Sequence, residues 1–197
     1  FGGQTFTYQS AEIGASSALV LYLPDVAAIN AVDSLPMSQR FGNAVIQADN
    51  AEARIVAIIN EDNRGNPADN DGSPIPVERI GQGSTYSAIP AGTETKAVYF
   101  PQVPRNVGGV FSGGFFISNI SGSAGVCDIH FDGYPAAKIN DVPILAYGSL
   151  SYYAPNIANI PDGFNAAVRA YCTVNFIGIQ NFAASPGSGK VGDSFTQ

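Results

Sequence analysis

The sequence predicts an all-β protein made of two related antiparallel β-sandwich modules, Ig-like or jelly-roll-like in kind. Three observations carry this. Short runs rich in β-branched and aromatic residues recur between Gly, Pro, Asn and Asp punctuation. No stretch sustains the 3.6-residue periodicity and capping of an amphipathic helix. The two halves of the chain also repeat one another in blocks that keep their order.

Taken along the chain, the predicted strands are Gln4–Gln9, Ser17–Leu23, Asn43–Ala48, Ala53–Asn60, Ser84–Ile89, Thr95–Phe100, Gly114–Asn119, Val126–Phe131, Ser149–Ala154, Ala166–Tyr171 and Val174–Gln180. Alternation is plain in Val126–Asp132, where Ile129 and Phe131 take one face and Asp128, His130 and Asp132 the other. Ala51–Asn60 competes as a helix, but Ile55, Val56, Ile58 and Ile59 favour a strand. Val26–Arg40, with Pro36 inside it, is read as an insertion holding a short helical turn.

The repeat sets Ile13–Val26 beside Ile144–Ile157, with Ile, Ala, Leu, Tyr and Pro coinciding at an offset of 131. Phe41–Val45 then matches Phe164–Val168 at 123, and Ala57–Asn60 matches Gly178–Asn181 at 121. Phe6 and Tyr8 fall on Ile129 and Phe131. Offsets that change only between strands are what loop insertions produce. The expected modules are residues 1–98, lacking an opening strand equivalent to Gly114–Asn119, and 99–197, lacking a closing strand. A sandwich short of a strand presents an open edge. Either Thr95–Phe100 serves both modules, or the domain is one larger sheet, or a neighbouring subunit supplies the strand, as in donor-strand complementation. Head-to-tail completion of that kind does not close on itself and builds filaments.

Composition narrows the function. Charged residues are 13% of the 197, about half the usual quarter, whereas the hydrophobic share of 45% is ordinary. That combination excludes a disordered chain. A net charge of −7 without a basic cluster excludes nucleic acid as a main partner. Ala15–Val32, the most apolar stretch, is interrupted by Ser16, Ser17, Pro24, Asp25 and Asn30, so no membrane span is expected. Three lysines, a Gly/Ser/Asn-rich polar fraction and a start at Phe1 without Met or a basic leader point to a secreted, extracellular protein.

Cys127 lies on a predicted strand and Cys172 directly follows another, and outside the cell such a pair forms a disulfide. His130 between Asp128 and Asp132 has no second His to complete a zinc or copper set, so a solvated strand face is the better reading. Glu61–Ser73 gathers carboxylates before a Gly turn; Asp62, Asp69 and Asp71 are weak candidates for a structural calcium. The bidentate Glu of a calcium loop is missing there, so no cofactor is expected otherwise. Pro186–Val191 imitates a P-loop, but Ala184 and Val191 stand where Gly and a hydroxyl are needed. Ser123 lacks a nucleophile elbow. With one His and no convergent acid pair, the chain is not expected to be an enzyme. Asn119-Ile-Ser121 is a lone N-glycosylation sequon.

Pro101-Gln-Val103 leads to a Gly-rich aromatic strand closing on Asn119; Gly163-Phe-Asn-Ala-Ala-Val168 then precedes an apolar strand closing on Asn181. This pattern resembles the tandem β-sandwich repeat modules of secreted bacterial and archaeal surface proteins. The resemblance implies a scaffolding or adhesive role. Two modules instead of many favour a polymerising subunit of a filament, pilus, sheath or surface layer, with copies of itself as partner. The expected assembly strands carry Gln4, Thr5, Phe6, Thr7 and Tyr8; Val98, Tyr99 and Phe100; Phe115, Phe116 and Ile117; and Phe195. The alternative is a carbohydrate-binding or adhesin module that takes surface glycans on a face around Tyr147, Tyr152, Tyr153 and Tyr171. A viral capsid or spike protein ranks third.

Overall fold

The computed structural model describes residues 5–23, 26–27, 43–50, 52–62, 83–184 and 194–196. Among them every strand ladder is antiparallel, and helical structure is limited to short 3-10 turns such as Pro135–Ala137 and Ala154–Asn156. The all-β antiparallel class therefore holds. Strands β1 (Ile58–Asp62) and β2 (Gly83–Ser87) make a two-stranded sheet. The other sheet holds seven strands: β3 (Thr95–Pro104), β4 (Phe111–Asn119), β5 (Gly125–Phe131), β6 (Ile139–Ile144), β7 (Ser149–Tyr153), β8 (Asn165–Ala184) and β9 (Ser194–Thr196).

Strand β8 organises the sheet. It runs for 20 residues, and Val168, Ala170, Cys172, Phe176, Gln180, Phe182 and Ala184 put one parity of its side chains into the core. Its first half lies between β3 and β5, and its second half between β4 and β9. The antiparallel strands curl into a half-barrel. Phe115 on β4 joins rings from three other strands in the core, with ring centroids 4.8 Å from Phe100, 5.1 Å from Tyr152 and 6.5 Å from Phe131. Burying an aromatic ring of this size contributes about 1.5–3 kcal/mol. Along the order β6-β5-β8-β4-β7, strands β6 and β7 lie at the two ends.

Local chemistry explains the irregular spots. Between Phe100 and Val103, β3 carries one residue more than the opposing stretch of β8, a bulge. The buried Gln180 side chain donates through Nε2 to the Gln102 carbonyl there. On β6 a second bulge opposes Cys127–Ile129, with Asp141 at φ 54° and its backbone N–H donating to Asp128 Oδ1 at 2.9 Å. Gly114 is required where β4 meets β7, since a Cβ would stand 2.8 Å from the Tyr152 carbonyl oxygen.

Several elements differ from the sequence reading. β6 is not anticipated, because Asn140, Asp141 and Pro143 break its pattern. Ala166–Tyr171 and Val174–Gln180 form one strand, the polar Thr173 facing outward without ending the ladder. Residues 5–9, 17–23 and 43–48 carry no ladder: strand-forming composition makes a strand only where another strand bonds to it, and none does so here. β3 crosses the position between residues 98 and 99, and pairs with β8 on both sides of it. Of the Val26–Arg40 insertion, only Val26 and Ala27 are among the described residues.

Candidate functional site

The two end strands flank a cleft of about 710 Å³. Ile139, at the start of β6, and Leu150 and Tyr152, on β7, give it apolar walls, while Ser149, Ser151, Asn156 and Asn159 add polar groups. Asn159 ties one end together, its Nδ2 donating to the Ala136 carbonyl at 3.0 Å. The segment beneath is anchored by Arg105, which donates from Nη1 to the Ile157 carbonyl at 2.7 Å and from Nε to Asp162 at 3.0 Å. Tyr152 stacks on Phe115, and burial pushes its phenol pKa up.

The turn entering β7 is set by Asn119. Its Nδ2 donates to the Ser123 and Leu145 carbonyls at 2.7 and 2.9 Å, and its Oδ1 accepts from Ser121 N–H at 2.9 Å and Ser121 Oγ at 2.7 Å. Asn119 is fully buried. Both amide hydrogens are engaged, so the sequon serves the fold. The Asn119 backbone N–H donates to the Gly148 carbonyl at 2.9 Å, which fixes the alternation along β7. Leu150 and Tyr152 turn their backbone groups toward β4; Ser149, Ser151 and Tyr153 turn theirs toward the other edge. Among the described residues no strand pairs with that edge.

The sequence-predicted residues scatter around this cleft. Gln4 lies outside the described residues, and Thr5, Phe6, Thr7 and Tyr8 carry no ladder. Val98, Tyr99 and Phe100 sit on β3, an outer strand bonded to β8; Phe100 is core, Val98 packs against it and Tyr99 is exposed. Phe115, Phe116 and Ile117 do not form an edge. Their strand β4 is bonded on both sides, to β7 and β8, and Phe115 and Ile117 are fully buried, so this segment is core. Phe195 lies on β9, in register with Phe182 of β8. Cys127 and Cys172 are directly opposed on β5 and β8 and form the disulfide.

Of the four tyrosines, Tyr152 and Tyr153 line the cleft. Tyr147 sits in the turn before β7, its hydroxyl beside Gly122, and Tyr171 stands on β8 edge-on to His130 at 5.3 Å. They make no single platform. Asp69 and Asp71 lie outside the described residues, and Asp62 ends β1. Among the described residues no group of three His, Cys, Asp or Glu side chains could hold a metal. The missed feature is the β7 edge itself. Its signal was present in Ser149-Leu-Ser-Tyr-Tyr153, a strand free of charge and proline.

No known protein family matches the chain, and no curated protein matches it. Solved structures that are similar include the following two. One, described as Thermotoga maritima 1070, shares 16% identity at a TM-score of 0.40, over 53% of this chain and 92% of that one. The other, the Anabaena sensory rhodopsin transducer, shares 11% at 0.31, over 46% and 97%. At these scores neither bears on function. Among the described residues no helix is long and apolar enough to cross a membrane.

Ion pairs hold the outer face. Asp132 accepts from Arg169 Nε and Nη2, and Asp128 meets Lys138 at 3.6 Å. The Asp141 N–H chiefly, with Lys138 and His130, holds the Asp128 carboxyl below its usual pKa; the Arg105 guanidinium chiefly does the same for Asp162. A carboxyl depressed in the folded state contributes stability above its unfolded pKa and loses it as pH falls through the folded value. Denaturant midpoints should therefore be flat from about pH 7 to pH 5 and fall below about pH 4. Asp128→Asn and Asp162→Asn together should flatten that acid limb. An acid limb of unchanged slope would show that these carboxyls do not set it.

Proposed function

We propose that the chain is a structural subunit of an extracellular filament, pilus, sheath or surface layer, and that it polymerises by strand sharing. One observation carries this. Leu19, Val20, Leu21, Tyr22 and Leu23 are consecutive and all exposed, Val20 at 87%, although the repeat aligns Ala18–Tyr22 with strand β7. Contiguous large apolar side chains in water mark an interaction surface. Val45, Ile46, Ile55, Val56 and Ile58 are exposed as well. The shortage of charge suits a surface covered by identical neighbours, and a disulfide suits an oxidising compartment. The tandem surface modules that the sequence resembles supply the same kind of role.

The second reading is a glycan-binding module, favoured by the mixed aromatic and amide lining of the cleft at Tyr152, Tyr153, Asn156 and Asn159. Negative-stain microscopy and sedimentation of the purified protein separate the two. Fibres or sheets that grow with concentration are the expected result. A monodisperse monomer that binds neutral oligosaccharides would overturn the assembly reading and favour the second.

A further inference from the structure

Sheet edges differ in how well they are guarded against a foreign strand. Charge, proline, bulges and shortness all discourage pairing. β6 carries Asp141, Pro143 and a bulge. β3 carries Lys96, Pro101, Pro104 and two register shifts. β9 is 3 residues long. β7 is different: its 5 residues, Ser149-Leu-Ser-Tyr-Tyr153, include no charge and no proline, and its ladder with β4 has no shift. It is the one outer strand of the seven-stranded sheet left unguarded among the described residues. The backbone groups of Ser149, Ser151 and Tyr153 point to its unpaired edge, and the cleft beside it has the apolar walls an added strand would need.

We propose that the free edge of β7 is the acceptor for strand sharing and that it takes the Ala18–Leu23 segment of a second copy of the chain. This rests on the assembly reading and names its site and partner. The donor is argued from its chemistry. Ala15–Leu23 contains no charged residue, which matches an uncharged edge and spares both partners the desolvation of an ion. Its repeat counterpart is itself a strand, so the sequence is suited to a ladder. In its own chain it has no ladder and stands exposed, and no residue of it lines the cleft. A second copy is the partner that can satisfy both surfaces at once, through backbone hydrogen bonds for affinity and alternate side chains for fit.

The test uses the full chain and a synthetic peptide of residues 15–24. Ser151→Pro removes an N–H that points away from β4, so the β4 ladder stays intact while the edge is blocked. The peptide is expected to bind the wild-type chain, to bind Ser151→Pro at least about tenfold more weakly, and to lose binding when it carries Val20→Lys and Leu21→Lys. The peptide variants keep the test decisive even where Ser151→Pro perturbs folding. Peptide that fails to bind, or binds all forms alike, overturns the proposal, as does a neutral oligosaccharide filling the cleft without competition from peptide. Fibres that form unchanged from Ser151→Pro also overturn the choice of edge, while leaving strand sharing in place. Peptide binding that depends on Ser151 without any fibres keeps the edge and removes the polymer reading.

Discussion

Asn119→Ala is expected to lower folding stability by about 3–4 kcal/mol, read as a shift in the denaturant midpoint at unchanged slope. The side chain is fully buried and makes four hydrogen bonds, two given and two accepted. Truncation leaves the Ser123 and Leu145 carbonyls and the Ser121 N–H without their partner, and an unsatisfied buried polar group costs about 1–3 kcal/mol. Water reaching the turn offsets part of that sum. Asn119→Asp keeps the shape but replaces the donating amide with an acceptor that faces two carbonyl oxygens, so it should be at least as damaging. A loss below about 1 kcal/mol for both variants would show that the turn does not depend on this side chain. The expected damage extends toward β7, because the lost side-chain amide holds the Leu145 carbonyl in the turn that leads into that strand.

Removing the disulfide should cost a similar amount. Cys127 and Cys172 are separated by 45 residues, and closing a loop of that size restricts the unfolded chain by about 4 kcal/mol in the chain-entropy account. The double variant Cys127→Ala, Cys172→Ala is expected to lose about 3–4 kcal/mol, and reductant should bring the wild-type chain to the same midpoint. Both sulfurs sit among the buried residues of the core, so each single variant would add a buried free thiol without restoring the crosslink. A wild-type midpoint that does not move in reductant, with free thiols confirmed by mass, would show that the sheet holds β5 against β8 unaided.

Much of the second half was legible in the sequence. β4, β5 and β7 were bounded to within a few residues, since alternation and Gly or Pro punctuation act locally. The facing of Ile129 and Phe131 followed from a period of two and is met by full burial of Ile129 and near-complete burial of Phe131. The cysteine pair was legible because one residue fell on a predicted strand and the other at the end of a second. The misreadings share one cause. Phe115–Ile117 read as an edge because the repeat makes Gly114–Asn119 an opening strand with no counterpart in the first half, yet only the ladders show that β4 is bonded on both sides. Asn119-Ile-Ser121 matches a sequon as well as a side-chain turn, because both use an amide and a hydroxyl two positions on, and the sequence alone does not choose between them. Ser17–Leu23 read as a strand because its composition is right, but a ladder needs a second strand.

By itself, then, the sequence determined the antiparallel all-β class, the placement of most strands from Thr95 onward, the disulfide partners and the low charge that suits a covered surface. The tertiary structure decided which edges are spent and which remain. Strand character is a property of a few consecutive residues, whereas the two edges of a strand are allotted by whatever folds back from elsewhere in the chain. That is why β4, an opening strand by the repeat, is spent inside the sheet, and why β7, plain in sequence, keeps an edge to which no strand pairs among the described residues.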